Sequence, residues 1–181
     1  MRTLIIVVVM LIFTGSLLSR QTRTEIANAA TKYDSKTNSD TVPDAYAISS
    51  QFERVVILRI KHQTDLLWGL ETMIEKEKIR NAVILAGIGS VRNYRYHVVS
   101  NRTFPTKDLI VADRTAPADI AGINGYVIDG RVHAHITFAD STGAFGGHLE
   151  QGTNVFTFAI VTIGVLGDTV DLKRVDDKTY R

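Results

Sequence analysis

Hydrophobic positions along this chain fall into short β-branched runs, interrupted once by a helical pattern. VVILRI, shortly after Gln51, has the β-branched content of a short buried strand. Thr64-Asp65 then has the form of a helix N-cap, and DLLWGLETMIEKEKI places Leu66, Leu70, Met73, Ile74 and Glu77 at helical spacing. That stripe predicts a core face, with Trp68 in packing and EKEK on the solvated side. AVILA predicts a second buried strand, and Gly87-Ile88-Gly89-Ser90 after it predicts a tight turn needing positive φ. VRNYRYHVV alternates as a further strand, which makes His97 a half-exposed surface residue; His62, beside Lys61, is equally ordinary. After a loop through Pro105 and a short strand, DLIVA, come two hairpins. NVFTFAIVTIGVL is apolar on both faces and so lies centrally or at an interface. VDLKRVDDKTYR predicts a short closing strand and a tail. Many strands, hairpin connections and a single helix define an α+β class: a largely antiparallel sheet with one main helix packed on it.

The hairpins carry the candidate chemistry. Residues 131–152, RVHAHITFADSTGAFGGHLEQG, hold three of the five histidines in the chain. His133 and His135 are two apart on a strand and therefore share a face. With Ser141-Thr142 as the two-residue loop, Phe138 stands opposite Phe145, His135 opposite His148 and His133 opposite Glu150. Gly146 then falls opposite Thr137 on the histidine side, where its missing side chain leaves open space. Asp129-Gly130 is a type I′ signal between GINGYVI and RVHAHI. Pairing through it sets Tyr126 opposite His133 and Asn124 opposite His135. Directly opposed residues share a face, so one face gathers Asn124, Tyr126, His133, His135, His148 and Glu150. A bulge at Gly146-Gly147 would break this parity.

Composition narrows the chemistry. With no cysteine, disulfides, thiolate metal sites and cysteine nucleophiles are excluded, and any metal rests on histidine and carboxylate. Arg2 precedes an apolar run over residues 3–18, short for a membrane span, and this is the pattern of a secretory signal peptide or of an uncleaved N-terminal anchor. Ala27-Asn28-Ala29 has the small-x-small form of a cleavage site, Thr14-Gly-Ser16 less so. The chain thus divides into residues 1–29 as signal peptide or anchor, 30–50 as a polar linker or arm, and 51–181 as one domain. Formal net charge is +2, and residues 1–29 contribute three arginines against one glutamate, so the remainder is near neutral. Phosphate binding draws on clustered Lys and Arg, which this balance does not supply. The Gly87-Ile88-Gly89 pattern lacks the third glycine of the dinucleotide fingerprint, Arg92 standing in its place, and no phosphate-binding helix follows.

LAGIGSVRN, INGYVIDGRVHAHITFAD, GAFGGHLEQGT and the closing LKRVDD together resemble the plant and prokaryote conserved (PPC) domain family, from about Gln51 onward. The H-x-H followed by G-G-H is the most specific part. The resemblance implies a compact α+β domain assembling as a homotrimer, with a metal, usually zinc, on His133, His135 and His148. It also implies kinship with plant nuclear regulators that bind DNA through AT-hooks. No Arg-Gly-Arg-Pro hook is present here, and Gln63-Thr64 replaces the Gly-Glu that many members carry before the helix.

Three readings follow. The first is an exported trimeric module binding zinc or another divalent metal, with a small ligand or protein partner. The second is a DNA-binding regulator, cytoplasmic rather than exported. The third is a zinc-dependent hydrolase or lyase in which Glu150 acts as base on metal-bound water. Zinc-bound histidines need an acceptor for the other ring nitrogen, a role open to Glu150, Tyr126 or Asn124. No serine–histidine–acid arrangement is supported by the spacing, and the balance leans away from catalysis.

Overall fold

A computed structural model describes residues 21–181. The apolar run at residues 3–18 lies outside the described residues. Eight strands and one helix follow in the order β1 (Thr22–Ala27), β2 (Phe52–Lys61), α1 (Leu66–Lys76), β3 (Ala82–Val99), β4 (Lys107–Asp113), β5 (Ala118–Ile128), β6 (Arg131–Asp140), β7 (Gly143–Leu149) and β8 (Asn154–Leu166). Every strand pairing is antiparallel.

β3 is the axis of the fold. Its 18 residues pair with β5 and β8 in the first half and with β4 and β7 in the second. AVILA and VRNYRYHVV are therefore one strand, and Gly87 and Gly89 lie within it rather than in a turn. The physical reason is close packing. A Cβ on Gly87 would sit 2.6 Å from Ile123, and Gly89, at φ +149°, has the β8 backbone pressed against the same space. The glycines let a strand continue where a side chain would have stopped it.

β5, β6 and β7 follow one another as hairpins, and β7 then pairs back to β3 through Tyr96↔Leu149 and His97↔His148. This closes β3, β5, β6 and β7 into a ring. Tyr94, Tyr96, Phe138 and Phe145 pack inside it, with ring centroids 4.9–6.1 Å apart. The helix lies against β2, β6 and β8 and buries Leu66, Leu70 and Ile74, the stripe read from the sequence. Asp65 caps it, accepting from the Trp68 N–H at 3.0 Å. Trp68 itself is exposed, on the side of the helix away from the core stripe.

Both ends of the described chain add to this frame. Thr22–Ala27 pairs along β4, and the Glu25–Lys107 ion pair at 3.0 Å supports it. These residues fall inside the leader drawn from the sequence, which ran to residue 29. The arm at 30–50 forms turns rather than strands, and Lys36 Nζ donates to the Thr179 carbonyl at 3.0 Å. The C-terminal residues, expected to form a short strand, run instead as successive turns that seat Leu172 against Ile128 and Leu166. Among the described residues no helix is long and apolar enough to cross a membrane.

Candidate metal centre

Two short turns build the site. Asp129 at φ +50° and Gly130 at φ +80° make the left-handed pair that a type I′ turn requires. They set Tyr126 opposite His133 and Asn124 opposite His135. At the other end of β6, Asp140 Oδ1 accepts from the Thr142 and Gly143 N–H groups and closes the loop. The β6–β7 register that results runs from Asp140↔Gly143 to His135↔His148 without a bulge. His133, His135 and His148 thus converge, and donor atoms from the three lie within 4.8 Å of one another.

The glycines of β7 serve closeness rather than open space. A Cβ on Gly146 would overlap the Ile136 carbonyl oxygen, and one on Gly147 the His97 carbonyl oxygen. β7 is a strand wedged between two neighbours, and side chains at these positions would hold it off them.

Beyond His148 the register expected from the hairpin ends. Glu150 does not stand opposite His133, because β7 has crossed to β3 and the Glu150 N–H donates to the Arg95 carbonyl. Its carboxylate goes to His97, with Oε1 2.6 Å from Nδ1. His97, read as an ordinary surface residue, belongs to the cluster: its ring stacks on His148 with centroids 4.5 Å apart. His133 Nδ1 is 3.0 Å from Asp176 Oδ2, a carboxylate brought in by the C-terminal turns. Tyr126 and Asn124 line a smaller cleft of about 460 Å³ with His133 and His135, while the carboxylates beside the ring nitrogens are Glu150, at His97, and Asp176, at His133. His62 stays apart, against Phe156.

The main cleft, about 920 Å³, is lined by His97, His133, His135 and His148 with Asp108 and Asp176. Burial, followed by the neighbouring imidazoles, pushes the His148 pKa down to about 4, and burial lowers that of His135 as well. Both rings are therefore neutral at physiological pH, the state in which imidazole coordinates a metal. Donor type, convergence and protonation fit a divalent ion such as zinc.

An antiparallel α+β sheet domain with a histidine-lined cleft is the class this architecture defines. The chain belongs to the Plants and Prokaryotes Conserved (PCC, also written PPC) domain family, whose sequence profile matches residues 47–167. Similar folds occur in a PPC protein from Pyrococcus horikoshii (24% identity, 75% of this chain and 94% of that one, TM-score 0.60) and in a metal-containing protein from Archaeoglobus fulgidus (19%, 75% and 95%, TM-score 0.60). A protein from Bacteroides thetaiotaomicron provisionally described as DNA-binding is also similar (18%, 67% and 86%, TM-score 0.51). None of the curated proteins matches this chain.

Proposed function

We propose that this protein is an exported, trimeric PPC-domain module that holds zinc or another divalent ion on His133, His135 and His148. The convergence of those three donor sets within 4.8 Å carries the reading. The metal-containing description of the Archaeoglobus relative supports it. When bound to three imidazoles, zinc keeps a fourth position for water or an anionic ligand, and the 920 Å³ cleft gives a small ligand room to reach it.

Export rests on the apolar run at residues 3–18 behind Arg2. A cut at Ala27-Asn28-Ala29 would remove β1, so the reading adopted is an uncleaved anchor or a cut ahead of Gln21. Nucleic-acid association, drawn from the Bacteroides relative, gains no support from charge: Asp108, Asp176 and Asp177 line the cleft against Arg131 and Lys178, so it offers phosphate no cationic excess. A hydrolytic role would call on Glu150, whose carboxylate is already engaged by His97.

Metal analysis of the full chain as purified is the test. We expect divalent metal in at least stoichiometric amount, with the triad's share lost in His135→Ala. Metal-free protein that stays folded in both forms would refute the reading. Fractionation of tagged protein into the cytoplasm would refute export alone.

A further inference from the structure

The His97 side of the cleft has its own donors. Among the described residues no side chain hydrogen-bonds His148, whose neutral ring offers one nitrogen lone pair and gains a second only when its N–H proton is lost. The triad needs only one of them. On the side toward β3, donor atoms from His97, His148 and Glu150 also come within 4.8 Å of one another, and all three side chains are half-buried. The set differs from the triad in charge: it includes a carboxylate, and Asp108 Oδ1 stands 4.0 Å from His97 Nε2. Asp108 is held in place, its other oxygen accepting from Asn28 Nδ2 at 3.0 Å.

We propose that the cleft contains a second cation seat, formed by His97, Glu150 and the second ring nitrogen of His148, so that His148 is shared between two ions. The inference rests on the triad reading for the first of those ions. The 2.6 Å contact between His97 Nδ1 and Glu150 Oε1 is the hydrogen bond that the second ion replaces. Zinc–nitrogen and zinc–oxygen bonds of roughly 2.0–2.2 Å at a tetrahedral angle set the two donors about 3.4 Å apart, so that pair must open by roughly 0.8 Å. The proton on Nδ1 moves to Nε2, where Asp108 becomes its acceptor, giving the carboxylate–histidine–metal arrangement that orients a ligand ring. His148, coordinating through both nitrogens, releases its remaining ring proton to solvent. Two neighbouring carboxylates offset the charge of a second dication, which three neutral imidazoles alone would not.

The experiment strips the full-length protein of metal, titrates it with zinc alone, and counts the equivalents retained after buffer exchange by elemental analysis. Two per chain are expected in the wild type. One is expected in each of His97→Ala, Glu150→Gln and His135→Ala, with far-ultraviolet circular dichroism unchanged. Glu150→Gln keeps the side-chain shape, so it tests the seat even if His97→Ala folds poorly. A single equivalent that survives His97→Ala and Glu150→Gln but is lost in His135→Ala overturns the second seat and leaves the triad standing. A single equivalent lost in His97→Ala but kept in His135→Ala upholds the His97 seat and overturns the triad. A single equivalent lost in all three variants means one ion drawing on both sets, and overturns the proposal of two seats.

Discussion

Gly147 shows how tightly the site is tied to the backbone around it. It lies directly before His148, and a Cβ there would overlap the His97 carbonyl oxygen and sit 2.8 Å from Val98 Cγ1. A carbonyl oxygen in a strand cannot turn aside as a flexible side chain can, so β7 itself would have to move off β3. Gly147→Ala should therefore destabilise the fold by at least the ~1–3 kcal/mol typical of overpacking, and should weaken metal retention because His97 and His148 sit on the two strands forced apart. Denaturant unfolding, read beside metal content, checks this. Unchanged values for both would mean that β7 and β3 have more freedom than their contact implies. The same neighbourhood marks the limit of what the sequence discloses. His133, His135 and His148 were legible because two short turns with strong local chemistry fix their register. His97 and Glu150 were not, since their contact depends on β7 leaving one partner for another, and nothing local to VRNYRYHVV or HLEQG encodes that crossing. Asp176 was hidden for a similar reason: it reaches His133 from the far end of the chain.

Among the elements, α1 is legible in the sequence and the continuity of β3 is not. The helix has a cap and a stripe, both local, and both are present in the structure. The sequence of β3 reads as two strands because Gly87 and Gly89 carry the composition of a turn, while their actual role, making room for Ile123 and for β8, is set by packing partners remote in sequence. The cap has a second function that follows only from the fold. Asp65 Oδ1 accepts from Trp68 N–H, and its Oδ2 accepts from the Gly152 N–H at 2.6 Å. One carboxylate thus joins the start of α1 to the loop that follows Glu150. Losing an N-cap costs about 0.5–2 kcal/mol, and the stranded Gly152 N–H adds to that only as far as water fails to reach it. Asp65→Ala should lower the unfolding free energy by about 1–2 kcal/mol as a shift in denaturant midpoint at constant slope. Asp65→Asn, which keeps an acceptor at the cap, should lose less. Equal losses in the two variants would show that the negative charge, not the cap geometry, is what matters at this position.

At the scale of the whole molecule, the sheet has one face that the described residues of a single chain leave uncovered. On β2, Val56, Leu58 and Ile60 point inward, while Val55, Ile57 and Arg59 point outward. The pairing Arg59↔Ile160↔Ile88 and Ile57↔Thr162↔Ala86 carries that outer face across β8 and β3. Ile57 is 70% exposed and Ile88 57%, with Phe158 beside them under the Arg59 guanidinium, 5.4 Å from its ring centroid. Scattered exposed apolar residues are ordinary, but a contiguous apolar face across three strands marks an association surface. This is where the apolar-on-both-faces character of NVFTFAIVTIGVL has its explanation: one face of β8 fills the core, and the other awaits a partner. Other copies of this chain, in the trimer proposed for it, are the occupant the family resemblance favours. Ile57→Asp should then leave the folded single chain intact, since the side chain is 70% exposed, while placing a carboxylate that must lose its water when copies meet. Light scattering after size exclusion should report a trimer for the wild type and a monomer for the variant, with the circular dichroism spectrum retained. A wild-type monomer, or a trimer indifferent to the aspartate, would move the association surface elsewhere and leave this face to a different partner.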